Sequence, residues 1–316
     1  MTPLSNHKIL FDLSHNEMLN IDEDFSNFLD LIRELGLKPE TNKNNNTISE
    51  KILHNLDFLV IGNPIDEYFS NIEIRNILNF VRRGGRLLLA SEYGSDHLQK
   101  TNLNDISKHF GIYFSKNIIK EDNKINSNCP SILSIQSFSE HKITNQLKEV
   151  IIGGSCSLIL NKNSIGLFRS NDSWIEIYND MKNQWIKNID DNKQQIIASC
   201  TEYGQGKVFA IGDVDVFSND SNIGLNVLDN RKFILNIFSW FKEPVKKSEV
   251  ILWTLNQLGS LQNEVKEING KINNIIETLT ILEQRISSIE KVENLKFKKD
   301  FDERHIEKEL FEDSVK

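Results

Sequence analysis

Cysteine is scarce in this chain of 316 residues, and Cys129, Cys156 and Cys200 are scattered along it. Three dispersed cysteines exclude a disulfide framework and a paired-cysteine zinc site, and they read as small packing residues in a reducing compartment. Long apolar runs are missing too. No stretch approaches the roughly 18 apolar residues of a membrane helix, and the first residues reach Lys8 and Asp12 without the apolar stretch of a secretion signal. Basic residues are also in deficit: 45 acids face 37 bases, for a net charge of −8. Nucleic-acid binding needs the opposite balance. A cytoplasmic protein that neither inserts into membranes nor binds nucleic acid is therefore expected.

What is present is a repeated strand and helix pattern. Residues 8–13 are a short apolar run, followed at helical spacing by Phe25, Phe28, Leu29, Ile32 and Leu35, with Gly36 as the stop. Asp22 and Asp24 are expected in the first turn of that helix, where its dipole favours acids. Residues 56–61 form a second apolar run. Ser70 and Glu73 then have capping-box spacing ahead of Ile74, Ile77, Leu78 and Val81, with Arg82, Arg83 and Gly84 closing the helix. Residues 86–90 form a third strand, and Leu103, Ile106 and Phe110 another helix. This alternation predicts a parallel sheet covered on both faces.

Farther along, residues 131–137, 149–160 and 164–169 read as strands of a mixed extension. Residues 171–195, polar but containing Trp174, Tyr178 and Trp185, read as a surface excursion pinned by its aromatics. Residues 195–200 and 207–211 read as a hairpin turned by Gly204 and Gly206, and a helix through Leu225, Leu228, Phe233, Ile237, Phe238 and Trp240 closes the domain. The expected fold class is α/β, a flavodoxin-like doubly wound sheet with a mixed-strand extension, followed by a C-terminal coiled-coil helix.

The coiled coil is expected from heptads. Leu258, Val265, Ile272, Leu279 and Ile286 occupy a positions, and Leu261, Ile268, Ile275, Leu282 and Ile289 occupy d positions. All ten are apolar. At 1.5 Å per residue the seam is roughly 48 Å long. The other reading of the pattern is a helix folded back along the body, which ordinarily carries a broader apolar stripe. Isoleucine at both a and d leaves the oligomeric state open. The domain reading is an α/β domain over 1–243, a linker over 244–248, a coiled coil over 249–295 and a charged tail over 296–316.

Polar residues cluster where the strands end: Asp12 with Ser14, His15 and Glu17, then Asn63, then Ser91 with Glu92, and later Asp213 with Asp215. Carboxyl ends of parallel strands are where such folds bind ligands, so Asp12, His15, Asn63, Ser91, Glu92, Asp213 and Asp215 form a candidate crevice. Each residue also has a plainer reading as a cap or turn former, including Ser218, Asn219 and Asp220 ahead of the last helix. Ser91 lacks the small flanking residues of a nucleophile elbow, since Glu92 and Tyr93 stand there. Asp213, Asp215 and Asp220 lack the glycine and glutamate of a calcium loop. Neither a metal nor a cofactor is expected.

These motifs, in this order, resemble a known family. Ile9 to Asp12 with His15 and Glu17, residues 59–64, residues 80–92, and Tyr203-Gly204-x-Gly206-Lys207-Val208 leading to Ile211-Gly212-Asp213-x-Asp215-x-Phe217-Ser218 are similar to GIFT domains. These occur at the N-terminus of intraflagellar transport subunit 52 and in the auxiliary component of gliding-type ABC transporters, and are similar to class I glutamine amidotransferases. The resemblance implies a flavodoxin-like domain without the amidotransferase nucleophile, used for assembly or carbohydrate binding. The leading expectation is a non-catalytic scaffold that meets a protein partner or itself through the coiled coil. Its alternative is a small-ligand or carbohydrate module at the crevice, and a hydrolase with His15 as base ranks third.

Overall fold

The computed structural model describes residues 7–21, 24–42, 47–122, 129–161, 163–188, 194–245 and 247–313. The chain opens with β1 (Lys8–Asp12), α1 (Ser26–Glu34), β2 (Lys38–Asn42), α2 (Glu50–Leu53), β3 (Phe58–Gly62), α3 (Asn71–Arg82) and β4 (Arg86–Ala90). Two short helices follow, α4 (Ser95–Gln99) and α5 (Leu103–Ser107), and then β5 (Ile112–Phe114), β6 (Ile118–Glu121), β7 (Ile132–Ile135) and β8 (Ser137–Phe138). Next come β9 (Val150–Gly153), β10 (Leu158–Leu160), β11 (Ile165–Arg169), β12 (Ser173–Asn179), β13 (Gln184–Lys187), β14 (Ile196–Tyr203) and β15 (Gly206–Ile211). The last elements are α6 (Asn230–Lys242) and α7 (Lys247–Asp313).

Among the described residues, the largest sheet has eight strands in the order β2-β1-β3-β4-β15-β14-β11-β8. The first five run parallel and the last three alternate in direction. A 2-1-3-4-5 parallel order is flavodoxin-like, with β15 in the fifth place. The apolar strands are buried on both sides because their residues alternate between two cores. Ile9, Phe11, Phe58, Val60, Leu88, Ala90, Phe209 and Ile211 face one core with α1 and α6. Leu10, Leu59, Ile61, Leu87, Leu89, Val208 and Ala210 face the other with α3 and α5. Continuous apolar strands are what helices on both faces require.

The capping box on α3 forms as its spacing predicts: Ser70 Oγ accepts from the Glu73 N–H, and Glu73 Oε2 accepts from the Ser70 N–H at 2.9 Å. The Gly204–Gly206 turn also forms. A Cβ at Gly206 would stand 2.0 Å from the Val81 carbonyl, so only glycine lets the hairpin lie against the end of α3. Lys207, 1% exposed, donates to the Trp240 carbonyl at 2.9 Å and sits over the Trp240 indole. A buried ammonium at the end of α6 meets unpaired carbonyls and the negative pole of the helix.

Other expectations are corrected. Helix α1 starts at Ser26 with no acid in its first turn; Asp24 precedes it, and Asp22 lies outside the described residues. β2 gave no apolar signal, because Lys-Pro-Glu-Thr-Asn pairs on one side only, at the sheet edge, where proline is tolerated. The 149–160 stretch is two strands, β9 and β10, rather than one. Over residues 171–188 the surface excursion is built as strands: β12 and β13 form a hairpin whose β12 edge pairs with β6. Its aromatics are strand residues, Trp185 packing against Tyr178 and Tyr93. Helix α6 begins at Asn230, so Leu225 is buried in the preceding turns. Ser218 to Asp220 consequently make a turn well before that helix, with Asp220 Oδ1 accepting from the N–H groups of Asn222 and Ile223.

The chain divides into two compact units, residues 1–253 and 254–316. Helix α7 continues through residue 313. Its ten a and d side chains are 46–59% exposed. Among the described residues, no helix is long and apolar enough to cross a membrane.

Candidate functional site

The strand ends carry polar residues as the sequence indicates, but they gather into two clusters rather than one crevice. Asp12 ends β1 and Asp213 follows β15, with β3 and β4 between them in the sheet. Three strand spacings place the two ends roughly 14 Å apart. Asn63 lies between, 1% exposed, donating its N–H to the Ala90 carbonyl and accepting from Met18 N–H.

The first cluster is Asp12, His15 and Glu17, at 1%, 5% and 7% exposure. Asp12 Oδ1 accepts from the Ser14 hydroxyl at 2.7 Å and from Asn42 Nδ2 at 2.6 Å. Asp12 Oδ2 lies 2.6 Å from His15 Nδ1. The imidazole stacks on Phe69 at 3.9 Å, and its Nε2 is 3.4 Å from Glu73 Oε1. Glu17 Oε2 accepts from the His15 N–H at 3.2 Å. Burial works against ionised Asp12, yet hydrogen bonds from Glu17, His15 and Ser14 and the His15 charge hold it well below the usual carboxylate range. Burial opposes charge on His15 as well, but Asp12 and Glu73 outweigh it and raise the imidazole. Burial first, then Asp12, pushes Glu17 up to about 11. One carboxylate of the facing pair therefore keeps a proton.

The second cluster is Glu92, Asp213 and Asp215, with Glu92 and Asp213 buried. Glu92 Oε1 accepts from the Val214 N–H at 2.9 Å, and Asp213 accepts from Gly153 N–H at 3.1 Å and Asp215 N–H at 2.9 Å. Burial and the neighbouring acids raise Glu92 well above its usual value and Asp213 to about 8. Gly212 brings this turn close to the next segment, since a Cβ there would stand 2.2 Å from the Cys156 carbonyl. Ser91 is 2% exposed and donates its N–H to the Ile211 carbonyl at 3.0 Å. Burial, followed by the Glu92 charge, pushes the nearby Cys156 thiol far above the range of a reactive cysteine.

Three residues in or around the first cluster, Glu17, Asn42 and Glu73, were not among the seven candidate crevice residues. Asn42 sits on the polar edge strand that carried no strand signal. Glu73 was legible as a helix cap, and its second role toward His15 depends on where α3 packs.

Comparison with known proteins places this geometry. Residues 8–124 match the family model of the IFT52 GIFT domain. The α/β domain is GIFT-like. Among solved structures, the mmIFT52 N-terminal domain aligns over 74% of this chain and 97% of its own, with a TM-score of 0.62 and 16% identity. Cytoplasmic Protein STM3548 from Salmonella typhimurium aligns over 76% of this chain and all of its own, with a TM-score of 0.51 and 12% identity. At these identities the likeness establishes the fold. No curated protein matches the sequence.

Proposed function

We propose that the chain is a non-catalytic cytoplasmic assembly protein, in which a GIFT-like domain presents a recognition surface and α7 joins it to a second copy or to another chain through a coiled coil. The observation that carries this reading is the apolar seam itself. Ten large aliphatic side chains at strict heptad spacing remain about half exposed, from Leu282 at 46% to Ile289 at 59%. A continuous apolar surface of this kind marks an interface, because exposing it to water is unfavourable in proportion to its area. Two features of the α/β domain support the non-catalytic half: Ser91 and Cys156 are buried, and the Cys156 thiol is held protonated.

Light scattering of the full chain at tens of micromolar tests the assembly. A mass of two or more chains is expected, returning to one chain when Ile272 and Ile275 are both replaced by Asp. A monomeric parent protein would end the proposal.

A second reading, a small-ligand or carbohydrate-binding module, is favoured by Asn63. Its backbone has a φ of 57°, and its buried side-chain oxygen has no hydrogen-bond donor. Strain and an unmet acceptor at a strand end are features of ligand sites. Calorimetric titration with glycans and nucleotides decides it, and absence of heat with all of them removes it.

A further inference from the structure

The turn after β1 places an imidazole and two carboxylates around one point. One ligand atom each from Asp12, His15 and Glu17 lies within 4.8 Å of the others. Every oxygen of this group but one takes an N–H or hydroxyl group. Glu17 Oε1 is fully buried, takes no N–H or hydroxyl group, and lies 3.9 Å from His15 Nδ1. A buried carboxylate oxygen facing a second carboxylate holds either a shared proton or a cation in its place.

The orientation of His15 supplies the independent half of the argument. Its Nε2 points to Glu73 Oε1 at 3.4 Å, and that oxygen is itself fixed by the Ile48 N–H at 3.0 Å. A carboxylate behind one ring nitrogen favours the tautomer that leaves the other free as a ligand. Nδ1 faces Asp12 and Glu17, 2.6 Å from Asp12 Oδ2, and its lone pair becomes available to a cation once the proton shared with Asp12 leaves. Phe69 holds the ring plane from one side. Asp12 is oriented in the same way, by Asn42 and Ser14.

We propose that Asp12, His15 and Glu17 bind a divalent transition-metal cation, with zinc the best fit to one imidazole nitrogen and two carboxylate oxygens. Such a site has metal–ligand distances of about 2.0–2.2 Å, so Asp12 and His15, now 2.6 Å apart in a direct hydrogen bond, separate by less than about 1 Å to admit the ion. The protons on Nδ1 and on the facing carboxylate leave as the metal enters. The cation would pin the 13–21 turn, whose Met18 and Leu19 N–H groups bond the Asn63 and Gly62 carbonyls at the end of β3. The Glu92, Asp213 and Asp215 group also brings three ligand atoms within 4.8 Å of one another, but it has no imidazole, and Glu92 Oε1 and both Asp213 oxygens already take backbone N–H groups.

The test uses the full chain, stripped with a chelator and titrated with zinc chloride by calorimetry, with thermal unfolding followed in parallel. One equivalent of zinc is expected to bind and to raise the unfolding temperature. His15→Ala removes the nitrogen ligand, and Glu17→Gln is the variant that keeps the fold: its amide NH₂ donates to Asp12 while its oxygen still accepts from the His15 N–H. Glu17→Gln is expected to unfold at the temperature of the metal-free parent and to lose at least about tenfold in zinc affinity. If the parent takes up no stoichiometric zinc, a proton bridges the two carboxylates and the proposal is overturned. Equal zinc binding by parent and Glu17→Gln, as adventitious binding at the cysteines would give, overturns it as well.

Discussion

The two units of this chain use apolar residues in opposite ways. In the α/β domain they alternate along strands with a period of two and disappear into two cores, with Phe28, Phe209 and Phe233 essentially unexposed. In α7 they recur every three and four residues and stay about half exposed. Most apolar side chains of the domain are buried within it, whereas those of the helix seam stay about half exposed. A fold that completes itself can be stable alone, while a long single helix draws its stability from whatever packs on its seam.

The contrast can be broken most directly in the core. Phe28 packs against the rings of Phe11, Phe217 and Phe238, so Phe28→Ala should cost about 3–5 kcal/mol in urea denaturation of the full chain. A loss under about 1 kcal/mol would mean that the ring cluster is not the domain's anchor.

The buried acids give the next largest effect. Glu92 and Asp213 carry folded pKa values above their unfolded ones, so the folded state holds protons that the unfolded state releases. Their stabilisation is complete below the ordinary carboxylate range and is lost as pH rises through about 8, the Asp213 value. Glu92→Gln preserves the acceptor for the Val214 N–H and cannot ionise. Denaturation midpoints from pH 5 to 8 should fall less steeply in this variant, by up to about 1.4 kcal/mol per pH unit. Parallel slopes in variant and parent would place the titration elsewhere.

Ser70→Ala removes one arm of the α3 capping box and should cost about 1 kcal/mol, read from the same denaturation curves. Smallest of all, Leu279→Ala on the seam should leave unfolding of the α/β domain unchanged within about 0.5 kcal/mol while weakening self-association. A shift in domain stability as large as that of Ser70→Ala would show that the seam is part of the domain's own core.

Local patterns were readable in the chain wherever one segment decides its own state. The Ser70–Glu73 box, the Gly204–Gly206 turn and the heptads depend on residues a few positions apart. Two segments were not legible as strands because their signal was weak and their partners distant. β2 is the polar edge strand of the sheet among the described residues, and β12 sets Ser173, Trp174, Ile175 and Glu176 against a β6 partner more than fifty residues earlier. The end of β12 and β13 as a hairpin was hidden by the Asn and Asp content of the turn between them.

By itself the sequence determined the β/α alternation, the strand-end polar residues and the exposed seam, because side-chain period and capping chemistry act over a few residues. Only the tertiary structure decided which acids meet. The 2-1-3-4-15 strand order holds Asp12 and Asp213 apart, packing of α3 brings Glu73 to His15, and β2 brings Asn42 to Asp12. Burial then fixes their protonation, since the cost of a charge depends on the water and partners around it, and no spacing along a chain specifies those.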